Sequence, residues 1–70
     1  MADSVYKVIE LVGTSTESWG KAASSAIEQA SKTLRDLRVA EVVEQDITIE
    51  GGKVQLYRTK LRLSFKFEGN

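Results

Sequence analysis

The fold is decided by an eleven-residue stretch near the end of the chain, YRTKLRLSFKF, which runs from Tyr57 to Phe67. Its residues alternate strictly, and a period of two is typical of a β-strand with one buried face. The buried face is predicted to carry Tyr57, Thr59, Leu61, Leu63, Phe65 and Phe67. The turn before this strand is Glu50-Gly51-Gly52-Lys53, and Gly-Gly supplies the positive φ angles of a tight hairpin. A partner strand is therefore predicted at Val39–Ile49.

A helix is predicted upstream of this hairpin. Ser15 is its expected N-cap, although Thr14 with Glu17 also fits the capping-box spacing and leaves the boundary open by one residue. A first strand is predicted at 4–12, ended by Gly13. Apolar residues recur in the helix at steps of three and four, which makes one buried stripe. The stripe consists of Trp19, Ala22, Ala23, Ala26, Ile27, Ala30, Leu34 and Leu37.

The predicted order is β-α-β-β in a single α+β domain spanning residues 1–70. We expect a three-stranded antiparallel sheet wrapped on one helix, with the third strand in the middle. A parallel pairing of the first two strands by a right-handed crossover is the alternative. A strand from Val54 to Phe67 spans roughly 45 Å, whereas a helix of some 21 residues spans about 30 Å. One helix cannot cover such a sheet, so other copies of the chain are expected to cover the rest.

The composition excludes several function classes. The chain of 70 residues has 10 basic and 10 acidic side chains, no His and no Cys. Balanced charge argues against a nucleic-acid partner. Without His or Cys, the usual zinc sites and His-assisted nucleophiles are excluded, and no enzyme is predicted. No apolar run is long enough to span a membrane, so a cytoplasmic protein without a membrane partner is expected.

Short motifs in order along the chain resemble the dodecin family. They are Tyr6-Lys7-Val8, Val12-Gly13-Thr14-Ser15, Lys32-Thr33-Leu34-Arg35, Ala40-Glu41-Val42-Val43-Glu44-Gln45, Tyr57-Arg58-Thr59 and Phe65-Lys66-Phe67-Glu68. The resemblance implies a β-α-β-β subunit of a hollow homododecamer. It also implies that the cage binds and stores small ligands of the flavin class, namely FMN, riboflavin or FAD.

The resemblance assigns the ligand-binding positions to Val39, Glu44, Gln45 and Arg58. Flavin-binding dodecins carry a stacking Trp where this chain has Val39, which has no π face. They carry a Gln where this chain has Arg58, which donates hydrogen bonds but accepts none. Glu44 matches a carboxylate near the ligand's sugar chain in some members. The resemblance therefore implies a flavin site that is altered at Val39 and Arg58.

A divalent cation is the alternative ligand. Glu44 and Asp46 are two residues apart on one strand, which puts their side chains on the same face about 7 Å apart. Calcium needs six or more oxygens, so several subunits would have to contribute. Arg38-Val39-Ala40 and Glu44-Gln45-Asp46 also look similar to a dodecin branch associated with calcium. The second hypothesis is therefore a flavin-free structural cage that binds calcium or another divalent cation at subunit contacts.

Two further features have competing interpretations. Four basic residues alternate along the third strand, either as a basic stripe for phosphate or nucleic acid or as a charge ladder against acidic neighbours. They are Arg58, Lys60, Arg62 and Lys66. Balanced total charge favours the ladder, with Glu10, Glu44 and Asp46 as its acidic members. Trp19, the only tryptophan, could stack on a ligand, but its place in the helical stripe favours packing.

Overall fold

The computed structural model describes residues 3–66 of the chain. The elements are β1 (Tyr6–Ser15), α1 (Trp19–Ser31), β2 (Leu37–Glu50) and β3 (Lys53–Lys66). The strands form one sheet in the order β1-β3-β2, and both pairs are antiparallel. The predicted α+β fold is confirmed, and the parallel alternative is excluded. The predicted inward position of Phe67 lies outside the described residues.

The core lies between α1 and the middle of the sheet. Leu61 and Leu63 of β3 are buried there against the small side chains Ala26 and Ala30. Alanines bury little area each, but they let the helix lie close to the strands. Helix and strand approach closely at Gly13, which pairs with Thr59. The core therefore has the composition that the alternation of β3 and the alanine stripe predict.

The start of α1 differs from the prediction. Ser18 is the N-cap, and its Oγ accepts a hydrogen bond from the backbone N–H of Lys21 at 3.0 Å. Ser15 is the last residue of β1, and its Oγ accepts from the N–H of Glu17 at 2.9 Å. The N-cap prediction at Ser15 is wrong, because antiparallel pairing with β3 carries the strand past Gly13.

The end of α1 also differs from the prediction. The helix stops at Ser31, and Leu34 donates its backbone N–H to the Ala30 carbonyl at 2.9 Å. The chain then turns at Asp36, whose φ of 57° is left-handed, and Leu37 begins β2. Leu34 and Leu37 still pack on the core, although neither is helical. The apolar stripe therefore continues through a loop into a strand.

β2 contains irregularities that the sequence does not reveal. Its register with β3 shifts at three places, which are Leu37/Val39, Val42/Glu44 and Thr48/Ile49. An extra residue in a strand reverses the faces of the side chains that follow it. Glu41 opposite Arg62 and Glu44 opposite Lys60 consequently share one face. Strict alternation along the predicted strand Val39–Ile49 puts Val39 and Glu41 on the face away from Glu44 and Asp46, and this prediction is wrong for the same reason.

The molecule is elongated. Its principal extents are 55 × 20 × 15 Å, and its radius of gyration is 14.7 Å. A compact domain of this length would have a radius of gyration of about 11 Å. Among the residues that the structure describes, no helix combines the length and apolarity needed to cross a membrane.

Candidate functional site

The charged groups lie on the face of the sheet that points away from α1, which we call the outer face. Successive strand residues point to opposite faces, and Thr59, Leu61 and Leu63 are buried under the helix. The alternate residues Arg58 and Lys60 therefore lie on the outer face. Pairing with β1 and β2 brings acidic residues beside this basic row, namely Glu10, Glu41, Glu44 and Asp46.

The strongest contact on the outer face joins Arg58 to Asp46. Arg58 Nε donates to Asp46 Oδ1 at 2.7 Å, and Arg58 Nη2 donates to Asp46 Oδ2 at 2.8 Å. Two parallel charge-assisted bonds fix both groups in direction as well as distance. The hydrogen bond to Arg58 lowers the pKa of Asp46, and the same bond raises the pKa of Arg58. Asp46 is therefore ionised and already engaged at neutral pH.

A second cluster lies next to this pair. Arg62 Nη2 donates to Glu10 Oε2 at 3.0 Å, and Arg62 Nη1 donates to Glu41 Oε1 at 3.3 Å. Lys60 Nζ lies 3.7 Å from Glu10 Oε1. The hydrogen bond to Arg62, followed by the charge of Lys60, lowers the pKa of Glu10. The charge-ladder interpretation is therefore confirmed for Arg58, Lys60 and Arg62, with Asp46 and Glu10 as predicted and Glu41 in addition. The ion pairs of residues 3–66 include neither the predicted member Glu44 nor Lys66.

A small depression lies between the strands on the outer face. It has a volume of ≈140 Å³, and its lining residues are Val12, Glu44, Asp46, Arg58 and Lys60. Sites for drug-sized molecules occupy about 300–1,000 Å³. In one copy, the depression therefore has room for an ion or a small polar group rather than for a flavin ring. The structure brings together three of the predicted site residues here: Glu44, Asp46 and Arg58.

The other two predicted ligand residues lie elsewhere. Val39 is 61% exposed and pairs with Ser64, which is six residues along β3 from Arg58. That separation corresponds to about 20 Å of strand. Gln45 pairs with the buried Thr59, so it lies on the helix-facing side of the sheet. Within one chain, these side chains and Arg58 cannot contact a single ligand.

One chain alone does not fit a calcium ion. Calcium takes 6–8 oxygen ligands at about 2.3–2.6 Å. Residues 3–66 contain no group of three or more acidic, His or Cys side chains placed to hold a metal. Both carboxylate oxygens of Asp46 already accept from Arg58. A complete shell from the described residues would need oxygens from several copies.

Trp19 connects the start of the helix to the strand that carries Asp46. Its Nε1 donates to the backbone carbonyl of Asp46 at 2.9 Å, and its ring meets Tyr57 edge-on with centroids 5.2 Å apart. Thr59 Oγ1 donates to the Trp19 carbonyl at 2.9 Å. These contacts agree with the packing interpretation of Trp19. Sequence analysis did not identify the supporting role of Thr59, nor Glu41 as a partner of the ladder, because that pairing depends on the irregular register of β2.

The fold and the outer face define a class of small β-α-β-β subunit, in which one helix lies on a long antiparallel sheet with a charged far side. A family model described as Dodecin matches residues 5–68. The calcium dodecin of Mycobacterium tuberculosis is 48% identical over 63 residues, covering 90% of this chain and 89% of that protein. A dodecin of Thermus thermophilus is 44% identical over 64 residues, covering 91% and 93%. The chain belongs to the dodecin family.

Solved structures agree with this assignment. The dodecin of Streptomyces coelicolor superposes with a TM-score of 0.93 at 37% identity, covering 100% of both chains. The crystal structure of the calcium dodecin of Mycobacterium tuberculosis, described as having a novel calcium-binding site, superposes with a TM-score of 0.84. It is 47% identical and covers 96% of each chain. The fold predicted from the sequence is thus the fold of the family.

Proposed function

We propose that this protein is a non-enzymatic, homododecameric cage of the dodecin type that binds a small ligand, with residues 1–70 forming one domain in each subunit. Its exposed surface is the observation that carries the assembly. A folded monomer of this mass exposes about 4,300 Å², whereas one copy of this chain exposes 5360 Å². The surplus supports burial against other copies, and the number twelve comes from the family resemblance. The predicted cytoplasmic location and the absence of nucleic-acid or membrane partners stay predictions.

The mass in solution tests the assembly. Light scattering at micromolar subunit concentration should give close to twelve times 7.7 kDa. Thermal stability should rise with protein concentration, because association with other copies stabilises only the folded chain. A monodisperse monomer at that concentration contradicts the cage.

Calcium, or another divalent cation, is the ligand that the comparisons favour. The support is the similarity to a protein described as a calcium dodecin, together with Glu44 and Asp46 beside one depression. The residues of one chain do not supply a coordination shell, so the proposal places the ion where several copies meet. Binding would also have to compete with Arg58 for the Asp46 carboxylate.

Two matched variants separate calcium binding from the ion pair itself. Asp46→Asn removes the carboxylate charge and the pair together, whereas Arg58→Gln removes the pair and leaves the carboxylate free. Calcium should raise the melting temperature of the parent, and EDTA should lower it. Asp46→Asn should lose most of this response, and Arg58→Gln should enlarge it. If calcium and EDTA leave the melting temperature of the parent unchanged, the calcium proposal fails and the cage is unaffected.

Flavin is the second candidate, supported by the family resemblance and by Glu44 at a matching position. The substituted positions argue for weak binding, since Val39 offers no ring to stack on and Arg58 is held by Asp46. Val39→Trp with Arg58→Gln should raise flavin affinity by more than either change alone. Stacking contributes roughly 0.5–1.5 kcal/mol beyond area burial. Quenching of flavin fluorescence measures the affinity. If the double variant binds flavin no better than the parent, the assigned positions are contradicted.

A further inference from the structure

The hairpin of β2 and β3 extends beyond the rest of the sheet. β1 pairs with β3 only as far as Ser15 opposite Tyr57. Residues 47–56, which we call the arm, therefore form a two-stranded projection. Its apolar side chains are exposed: Ile49 is 66% exposed, Val54 49% and Ile47 38%. Such a projection leaves apolar area uncovered within one chain.

The arm is nevertheless an ordered hairpin. Gly51 and Gly52 take φ angles of 60° and 76° at its turn. Gln55 donates to Glu50 Oε1 at 2.7 Å, and its Oε1 accepts from the Thr48 hydroxyl at 3.2 Å. An isolated two-stranded hairpin is marginally stable in water and needs another layer against it. The arm therefore has a defined shape and no covering layer from its own helix.

An apolar groove lies elsewhere on the molecule, between α1 and the edge strand β1. Its volume is ≈560 Å³, and Ile9, Leu11, Ala26, Ala30 and Leu34 supply its apolar lining. The remaining lining residues are uncharged. The groove runs beside residues 9–14 of β1, a length of roughly 17 Å. The two strands of the arm, four residues each with Gln55 bulged out of the pairing, are about 13 Å long and fit within it.

A chain cannot place its own arm in its own groove. The Trp19 bond to Asp46 puts the start of α1 near the base of the arm. The groove begins beside Thr14, close to the base of the arm, and runs along the second half of the helix to Leu34. The arm extends the other way, so it would have to fold back on itself to enter the groove. The far end of the sheet is marked by Leu37 opposite Phe65. Phe65 is eight residues from Tyr57, about 26 Å along β3.

We propose that the arm of one copy lies in the groove between α1 and β1 of the next copy. This inference rests on the proposed assembly and names the surfaces that form one of its contacts. Two different surfaces then meet, which is a heterologous contact. A single isologous contact joins only two copies, whereas a heterologous contact can join three or more copies into a closed ring.

The area available agrees with this contact. One copy exposes 5360 Å², about 1,000 Å² more than a monomer of its mass. A standard protein interface buries about 800 Å² on each partner. A contact of standard size would therefore account for most of the surplus. A contact between two arms would leave the groove uncovered.

Cysteine cross-linking tests the contact directly, because the parent chain has no Cys. The double variant carries Ile49→Cys on the arm and Thr33→Cys on the rim of the groove. Within one chain these positions lie at opposite ends of the sheet. A disulfide needs Cα atoms within about 7 Å, so it can form only between copies. Mild oxidation should give covalent chains of three or more subunits on a non-reducing gel, and each single variant should stay monomeric there.

Different failures have different meanings. If the double variant assembles like the parent but forms no covalent oligomers, this contact is overturned and the cage is retained. If Ile49→Cys alone forms covalent dimers, two arms meet and the proposal is overturned. A monomeric parent overturns the assembly itself. If the oxidised double variant retains the parent mass by light scattering and shows the ladder on the gel, the contact is supported.

Charge substitution gives a second measurement that needs no oxidation. Ile49→Asp should raise the subunit concentration for half-assembly by about tenfold or more, because interface cores are depleted of charge. Val5→Asp is the matched control, since Val5 is 62% exposed and lies outside both the arm and the groove. Equal effects of the two variants overturn the contact. A small apolar ligand found in the groove by native mass spectrometry, with assembly of Ile49→Asp unchanged, also overturns it.

Discussion

Replacing Gly13 with alanine should destabilise the protein strongly. A Cβ at this position would lie 2.0 Å from the Ala22 carbonyl oxygen and 3.0 Å from the Ala26 Cβ. Contacts below 3.0 Å are essentially never seen for a Cβ, so helix and strand must separate by at least about 1 Å. The obstacle is helix backbone and cannot rotate away. Overpacking of this kind costs about 1–3 kcal/mol, and we expect the upper end of that range.

The opposing effect is smaller. Gly→Ala restricts the unfolded chain and stabilises the folded state by roughly 0.4–1 kcal/mol where the backbone permits it. The net loss for Gly13→Ala is therefore about 2 kcal/mol. Domains of this size have a free energy of unfolding of about 0.05–0.15 kcal/mol per residue. The change should consequently remove a large fraction of the stability of each subunit.

Gly20→Ala is the matched control. Gly20 is the second residue of α1, and the nearest atom to a Cβ there is Ser18 Oγ at 3.8 Å. Alanine should be neutral or stabilise the helix by up to about 1 kcal/mol. Urea unfolding of both variants at one subunit concentration gives the comparison, because assembly makes the midpoint depend on concentration. If the free energy of unfolding of Gly13→Ala lies within about 0.5 kcal/mol of that of the parent, helix and strand do not approach each other as closely as described.

Three further changes test other parts of the fold. Asp36 has a φ of 57°, so in urea unfolding Asp36→Gly should be neutral or stabilising, and Asp36→Val should cost about 1–2 kcal/mol. Thr59→Val removes the hydrogen bond to the Trp19 carbonyl and should lower the free energy of unfolding by about 1 kcal/mol. Thr59→Ser keeps the hydroxyl and should restore most of this loss; equal losses in the two variants would indicate lost packing rather than a lost hydrogen bond. The hydrogen bond with Arg62 lowers the pKa of Glu10 in the folded state. The stability that this pair contributes is therefore complete above the ordinary pKa of 4.5 and is lost as the pH falls below it. Thermal melts below pH 4.5 should therefore show a steeper loss for the parent than for Glu10→Gln; parallel curves would contradict the pairing.

The parts of the fold that sequence analysis predicted are those with a strong period or a strong turn signal. The strict alternation in β3 and the Gly51-Gly52 turn led to the correct hairpin, and the alanine stripe led to the correct helix face. The end of the helix was missed because its turn uses Asp36 in a left-handed conformation rather than a glycine. Leu34 and Leu37 continue the helical spacing by coincidence, since both pack on the same core from non-helical backbone.

The candidate site was predicted less completely, for a physical reason. Glu44 and Asp46 are two residues apart on one strand, so alternation correctly puts them on one face. Their meeting with Arg58 depends on the register shift between Thr48 and Ile49. The register of the turn, continued without that shift, would place Asp46 opposite Tyr57. Val39 is separated from them by the register shift near Val43, and periodicity carries no information across such a shift. The face on which Val39 lies is therefore set by the three-dimensional pairing of β2 with β3 and not by the sequence pattern.

The edge position of β1 and β2 has a consequence for the newly made chain. Before it meets other copies, each chain presents two unpaired strand edges, and β2 is 14 residues long. Such edges template aggregation, which rises with concentration just as productive association does. Aggregation and association with other copies both require two chains to meet. Dilution therefore slows both and does not favour one over the other. The irregularity near Val43 and the acidic side chains beside it, Glu41 and Glu44, act against edge-to-edge stacking. The irregularity that breaks the alternation of β2 thus also opposes aggregation of the single chain.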